Sequence, residues 1–239
     1  MRYSHVIRGT FVARPNRFIA YVTVDGVTET VHVKNTGRCR ELLVPGCTVY
    51  LSVSDNPARK TKYDLIAVEK CRPDGSVWRI NMDSQAPNEA VAEWLPLSGL
   101  FSPRATIRRE VTYRGSRFDF YIEDGDRRAF LEVKGCTLEQ DGIAKFPDAP
   151  TTRGVKHLRE LTDCVIEGYE AYVLIVIQMK GVSEFRPHDE TDPDFGRAMR
   201  GAQAGGVRIL AVDCRVKPDE MVIDTAVEVD LTNRREMLC

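Results

Sequence analysis

The chain has 239 residues, 43% of them apolar, and a formal net charge of −1, enough for one large domain or two small ones with cores of their own. It has no apolar run of about 18 residues to span a membrane, and the opening Met-Arg-Tyr-Ser-His does not read as a signal peptide, so a cytoplasmic location is expected. The small net charge hides a division: residues 1–82 hold 13 Lys and Arg against 7 Asp and Glu, or +6, and the remainder 21 against 28, or −7.

The first 82 residues read as all-β. Val6–Val12, Phe18–Val24, Val27–Val33, Cys47–Val53, Tyr63–Lys70 and Ser76–Ile80 are short runs rich in β-branched and aromatic residues. Asp25-Gly26 closes one hairpin, and Pro15-Asn16, Pro45-Gly46, Asp55-Asn56-Pro57 and Pro73-Asp74-Gly75 mark other turns. Short strands at this spacing suggest a small barrel, and an OB-like barrel suits the basic charge. Arg14, Arg17, Arg38, Arg40, Arg59, Lys60 and Lys62 are placed to follow a phosphate backbone, with a solvated surface as the plainer reading of any one of them. His32, Asn35, Thr36, Gly37 and Arg38 form a polar cluster that either presents amides to a phosphate or simply makes a tight loop.

Beyond residue 82 the pattern changes. Residues 87–95 read as a short helix stopped by Pro96, with Glu89 and Glu93 on one face. Strands follow near Ile107–Tyr113, Phe118–Glu123 and Phe130–Lys134, and a basic run of Arg104, Arg108, Arg109, Arg114 and Arg117 leads toward Asp119. Thr151–Glu167 is an amphipathic helix with Val155, Leu158, Leu161 and Val165 on one stripe, and Ala171–Met179 is apolar enough for a buried central strand. A helix over Asp194–Gly205 and a strand over Val207–Asp213 complete a mixed sheet flanked by helices. The fold class expected is therefore α+β in two domains, 1–82 and 83–239. The seven cysteines are scattered, odd in number and without CxxC spacing, which argues for reduced thiols rather than zinc or a redox pair.

The most informative stretch is Arg117–Lys134. Two alternating strands flank Asp124-Gly125-Asp126, a short-hairpin signal. If Gly125-Asp126 is the turn, Asp119 lies directly opposite Glu132; if Asp124-Gly125 is, the two are diagonal neighbours. Both registers leave the carboxylates on one face, with Lys134 beside them and Phe118, Phe120, Leu131 and Val133 pointing into a core. Two carboxylates and an ammonium gathered on strand ends suit a divalent cation and an activated water, the chemistry of phosphodiester cleavage. A surface hairpin with ordinary charges is the alternative.

The separation Asp119-x12-Glu132-x-Lys134, within this element order, resembles the PD-(D/E)XK nuclease superfamily. The chain more specifically resembles the sugar fermentation stimulation protein A family over nearly its whole length. The matching stretches are His32-x-x-Asn35-Thr36-Gly37-Arg38, Pro87-Asn88 with Glu93, Arg117-x-Asp119-Phe120, Glu132-Val133-Lys134-Gly135-x-Thr137-Leu138 and Phe146-Pro147-Asp148-Ala149-Pro150-Thr151-Thr152-Arg153-Gly154-x-Lys156-His157-Leu158. The resemblance implies an N-terminal OB-like domain, a C-terminal nuclease-like domain, and a DNA-binding role linked to sugar utilisation.

Both lines of reasoning assign Asp119, Glu132 and Lys134 as catalytic residues, and Asp119, Glu132 and Glu93 as ligands of Mg²⁺ or Mn²⁺, with Glu89 competing for the third place. Nucleic acid, DNA before RNA, is the expected partner, held by Arg17, Arg38, Arg117, Arg153, Lys156 and His157. Two functions from different classes remain: a metal-dependent nuclease, and a non-cleaving DNA-binding regulator that keeps a nuclease-like fold. A sugar- or nucleotide-binding protein is a third, without a Gly-rich phosphate loop to support it.

Overall fold

Five strands close on themselves at the N-terminal end of the chain. The computed structural model describes residues 1–35, 37 and 39–233. Strands β1 (Val6–Asn16), β2 (Ile19–Val24), β3 (Val27–Val33), β4 (Thr48–Val53) and β5 (Tyr63–Cys71) form the barrel, and β6 (Val77–Asn81) extends it alongside β5. β1 pairs antiparallel with β2 and β4, β2 with β3, and β4 with β5. Closure comes from a parallel pairing of β3 with β5 at His32–Asp64 and Val33–Leu65, the circuit of a five-stranded OB barrel. The β2–β3 turn is Asp25-Gly26, both at positive φ (49° and 82°), as a two-residue hairpin loop of this kind requires. Ala20, Val22, Val31, Val49, Leu51, Leu65 and Val68 fill the interior at 0% exposure. Each large aliphatic side chain so buried stabilises the fold by about 1.5–3 kcal/mol relative to exposure.

The rest of the chain builds a nine-stranded mixed sheet. In chain order its elements are α1 (Ala86–Trp94), β7 (Thr106–Tyr113), β8 (Ser116–Asp124), β9 (Arg127–Cys136), β10 (Leu138–Gln140), β11 (Ile143–Phe146), α2 (Thr152–Ile166), β12 (Glu170–Ile177), β13 (Glu184–Pro187), α3 (Pro193–Ala204), β14 (Arg208–Lys217) and β15 (Glu220–Val229). Across the sheet the strands run β10-β11-β13-β15-β14-β12-β9-β8-β7. β9, β12 and β14 are mutually parallel at its centre, and β12 is buried on both faces from Ala171 to Ile177, as a central parallel strand must be.

The two faces carry different covers. Ala86, Ala90, Val91 and Leu95 on and just after α1 pack with Phe120, Leu131, Val133, Leu174 and Val176. Val155, Leu158 and Leu161 of α2 pack with Phe118, Phe130, Val173 and Ile175. α2 begins at Thr151, whose hydroxyl accepts from the Gly154 N–H at 3.0 Å and satisfies one exposed amide of the first turn. Phe118 therefore differs from expectation: it joins the α2 face, whereas Phe120, Leu131 and Val133 take the opposite one.

The domains are bolted together through polar groups. Glu139, 2% exposed, receives Lys70 Nζ at 2.6 Å and Arg72 Nη1 at 2.5 Å from the barrel, and the Gly142 N–H from its own hairpin. Gln178 Nε2 donates to the Asn81 and Asp83 carbonyls, each at 3.1 Å, and the Asn81 N–H donates to the Gln178 carbonyl at 2.9 Å. Lys34 Nζ reaches the buried Asp83 carboxylate at 2.6 Å. Among the described residues no helix is long and apolar enough to cross a membrane.

Candidate active site

The site forms where the β8–β9 hairpin stops being regular. Gly125 sits at φ +63° as the first of two turn residues, and the pairs Asp124–Arg127 through Phe120–Leu131 follow from it. One step further, Asp119 stands where the ladder ends. Its Oδ2 accepts the Val133 N–H at 2.7 Å, so a side chain replaces a backbone partner. On the other side the β7–β8 ladder skips the Glu110–Asp119 position, and Glu110 lies at φ +56°. Positive φ at a non-glycine residue inside a strand is a strained arrangement of the sort that collects at functional sites. The same break lets Phe118 turn to the α2 face, where its ring lies 5.4 Å from Phe130 and 5.8 Å from His157.

Asp119 Oδ1 accepts from Asn88 Nδ2 at 2.7 Å. Glu132 Oε1 accepts twice, from Lys134 Nζ at 2.6 Å and His157 Nδ1 at 2.5 Å. Arg153 Nε lies 3.3 Å from His157 Nε2, which makes Nε2 the accepting nitrogen and Nδ1 the one whose proton is given to Glu132. Glu132 Oε2 is buried without a hydrogen-bond partner. A carboxylate oxygen orphaned at 4% residue exposure is costly unless a positive charge comes to it.

Electrostatics separates the two acids. Burial, and then the charge of Glu132, push the Asp119 carboxyl up to about 6, against the Val133 amide, Asn88 and Lys134. Burial also pushes Glu132 up, but the His157 bond and the Lys134 charge together outweigh it and hold Glu132 below the usual range. Glu132 is thus a firmly ionised anion, with Asp119 poised beside it. A cation between them would relieve both penalties, and on these grounds the donor set fits a hard divalent ion. Among the described residues no three His, Cys, Asp or Glu side chains are grouped to hold a metal. An ion here would accordingly rest on two carboxylates and complete its shell with water.

Not every expected residue joins this cluster. Glu93, expected as the third carboxylate, is turned away: its Oε2 binds the Met1 amino group at 2.6 Å, and its side chain is 66% exposed. Asn88 is the α1 residue that reaches Asp119, and five residues along a helix rotate the next side chain by roughly 140°. Glu89, the competitor, forms a two-pronged ion pair with Arg109 at 2.5 and 2.9 Å. Of the expected nucleic-acid contacts, His157 is buried against Glu132, and Arg153 is exposed behind it. Lys156 donates to the Gly115 carbonyl at 2.6 Å, and Arg117 is exposed, 3.6 Å from Glu110. Arg17 is exposed on the barrel with its guanidinium 4.8 Å above the Phe18 ring. Arg38 and Thr36 lie outside the described residues. Arg59 is committed to Asp64, which also receives His32 Nδ1 at 2.8 Å. Cys136, which shares strand parity with Glu132, points away from the cluster toward the Lys145 carbonyl, and burial pushes its thiol up to about 12.

Three contributors carried weaker signals. Asn88 stands one residue before Glu89 on the helix. Gln178 is the lone amide in the apolar run Ala171–Met179, a signal that was there to be used. Gly135 follows Lys134, and a Cβ there would come within 2.6 Å of Gln178 Oε1 and 2.8 Å of Pro87 Cγ. Only glycine lets β9, α1 and Gln178 meet at this point.

An OB barrel joined to a mixed sheet flanked by helices, with a carboxylate–lysine cluster at the end of a hairpin, defines a two-domain α+β protein. The chain belongs to the sugar fermentation stimulation protein family: the model of that family's "RE domain" matches residues 85–220, and that of its N-terminal OB domain matches residues 12–78. It is 53% identical to a sugar fermentation stimulation protein homolog of Clostridium beijerinckii, over 97% of this chain and 100% of that one. A homolog from Desulfitobacterium hafniense is 54% identical over 97% and 99% of the two chains. Among solved structures, Pyrococcus furiosus SfsA in complex with Ca²⁺ superposes with a TM-score of 0.83 at 26% identity, covering 96% of this chain and 98% of that one.

Proposed function

We propose that the protein is a metal-dependent phosphodiesterase acting on nucleic acid, DNA before RNA, with Asp119, Glu132 and Lys134 as its reacting groups. The observation that carries this reading is the orphaned Oε2 of Glu132, buried beside an Asp119 whose pKa is pushed up to about 6. Glu160 Oε2 is also buried without a partner; at Glu132 the bare oxygen stands beside a half-buried second acid and a lysine, and that combination supports the reading.

Asp119 and Glu132 Oε2 would hold Mg²⁺ or Mn²⁺. When bound, such an ion supplies Lewis-acid polarisation of a phosphoryl oxygen and a water activated for attack. The Ca²⁺ of the Pyrococcus furiosus relative supports a divalent-cation site in this fold. Lys134, its side chain 15% exposed, would bring a positive charge and the N–H donors not given to Glu132 to where charge develops on the phosphate. His157 keeps Glu132 Oε1 occupied and leaves Oε2 as the oxygen that would hold the ion. Asn88 and the Val133 amide hold the Asp119 carboxylate in one orientation. The basic balance of the barrel supports capture of a polyanion beside the site.

The test is cleavage of labelled DNA and RNA with Mg²⁺, Mn²⁺ or EDTA. Wild type cuts only with metal, and Lys134→Met lowers the rate by about 10²–10⁴-fold. Cleavage that survives EDTA, or that Lys134→Met leaves unchanged, rules the reading out.

A second reading, a DNA-binding regulator that does not cut, is favoured by one observation. Both oxygens of Asp119 and one of Glu132 already have protein partners. Binding without cleavage under every metal condition would select it.

A further inference from the structure

We infer that Glu110 is a further acid of the site, helping to hold the divalent cation through water from the strand that faces Asp119. This rests on the metal-site reading and adds a residue which that reading does not use.

The backbone singles Glu110 out. Among the described residues other than glycine, positive φ occurs at Asp25, Cys39, Glu110, Arg114 and Asp141. Asp25, Arg114 and Asp141 sit in the turns of the β2–β3, β7–β8 and β10–β11 hairpins, and Cys39 lies between β3 and β4. Glu110 alone lies inside a strand, at φ +56° in the middle of β7. A left-handed backbone crowds the Cβ against the following carbonyl, and glycine or asparagine takes it with less strain. Backbone shape by itself therefore gives no reason for a glutamate here, whereas a use for its carboxylate does.

Strand register brings that carboxylate to the site. Arg109 pairs with Phe120 and Val111 with Phe118, so Glu110 stands opposite Asp119 at the one skipped step of the β7–β8 ladder. Facing residues on neighbouring strands have Cβ atoms about 5 Å apart, a gap that a glutamate and one water span. Glu110 also lines a cavity of about 330 Å³ together with Arg109 and with Asn88, the residue that donates to Asp119 Oδ1. The Arg109 guanidinium, raised first by its bond to Glu89, also feels the charges of Glu110 and Asp119.

Glu110 is the least committed acid on this side. Its one ion pair, with Arg117, is 3.6 Å long, and the two side chains are 59% and 61% exposed, so the pair is weak. Glu89 is tied to Arg109 at 2.5 and 2.9 Å, and Glu93 to the Met1 amino group at 2.6 Å. The buried, unpartnered Oε2 of Glu132 is the independent sign that a cation belongs here. A hard divalent ion keeps several waters, whose protons need acceptors beyond the two inner carboxylates.

The test is calorimetric titration of Mg²⁺ into wild type, Glu110→Gln, Glu110→Asn and Glu123→Gln, with the melting temperature of each metal-free protein as the check on folding. Asparagine accepts the left-handed backbone, so Glu110→Asn removes the acid without adding strain. Glu123, an acid on β8 paired with Arg108, controls for the loss of one negative charge. Both Glu110 variants bind Mg²⁺ about tenfold more weakly than wild type, and Glu123→Gln binds as wild type does. Unchanged affinity in the folded Glu110 variants, or an equal loss in Glu123→Gln, overturns the inference and leaves the metal-site reading standing. Wild type that binds no Mg²⁺ removes both.

Discussion

Glu132 and Glu139 stand seven residues apart, are 4% and 2% exposed, and are both held below the usual carboxylate range, yet they are used in opposite ways. At Glu139 the donors are shared out: Lys70 takes one oxygen, and Arg72 and the Gly142 amide take the other. At Glu132 both donors, Lys134 and His157, converge on Oε1 and leave Oε2 bare. Equal burial with unequal satisfaction separates a carboxylate that fastens two domains from one with a bare oxygen, the feature on which the proposed metal site rests.

The largest expected effect falls on the fastening acid. Glu139→Gln strands two cations at the domain boundary and costs about 3 kcal/mol in urea unfolding. Glu132→Gln removes an anion that was only half satisfied and costs about 1 kcal/mol. Equal losses in the two variants would break the comparison.

Asp119 sharpens it through pH. Its pKa is raised in the folded protein, so its ionisation costs stability that is retained while the acid stays protonated and is lost as pH rises from about 4 through about 6. Asp119→Asn therefore gains on wild type across that window, by on the order of 3 kcal/mol for a shift of about two pH units. A constant difference between the two proteins from pH 4 to 7 would contradict the assignment.

Cations give the next effect. At a hundredfold excess over its Kd, Mg²⁺ or Mn²⁺ stabilises wild type by about 2.7 kcal/mol, read as a rise in melting temperature. Glu139→Gln keeps that response, and Asp119→Asn and Glu132→Gln lose it. The smallest effect is at the thiols. Cys71 is exposed and reacts with a maleimide in the native protein, whereas the buried Cys136 does not.

Much of this was legible in the sequence, for reasons that differ by element. The six N-terminal strands show alternation and turn residues, and each lies within a residue or two of its expected position except at the C-terminal end of β1, which continues to Asn16. The Asp119–Glu132 proximity followed from strand parity alone, since either turn put both on one face. Choosing between the turns needed the backbone: Gly125 takes the first turn position at φ +63°. β10, β11 and β13 are three or four residues long, too short for periodicity to declare them. β15 does alternate over Glu220–Val229 and was there to be read. Phe118 departed from its expected face because the ladder breaks at Asp119, which no local pattern announces. Glu93 was preferred over Glu89 as a third carboxylate, and Asn88 was not weighed; which helix residue faces a strand 31 positions away is a matter of tertiary packing.

The most direct measurement is calorimetric titration of Mg²⁺ and Mn²⁺ into wild type, Asp119→Asn, Glu132→Gln and Glu139→Gln at pH 7.5. The account predicts saturable binding to wild type and Glu139→Gln, and none to the two site variants. No binding to wild type, or binding that survives loss of both Asp119 and Glu132, would contradict it.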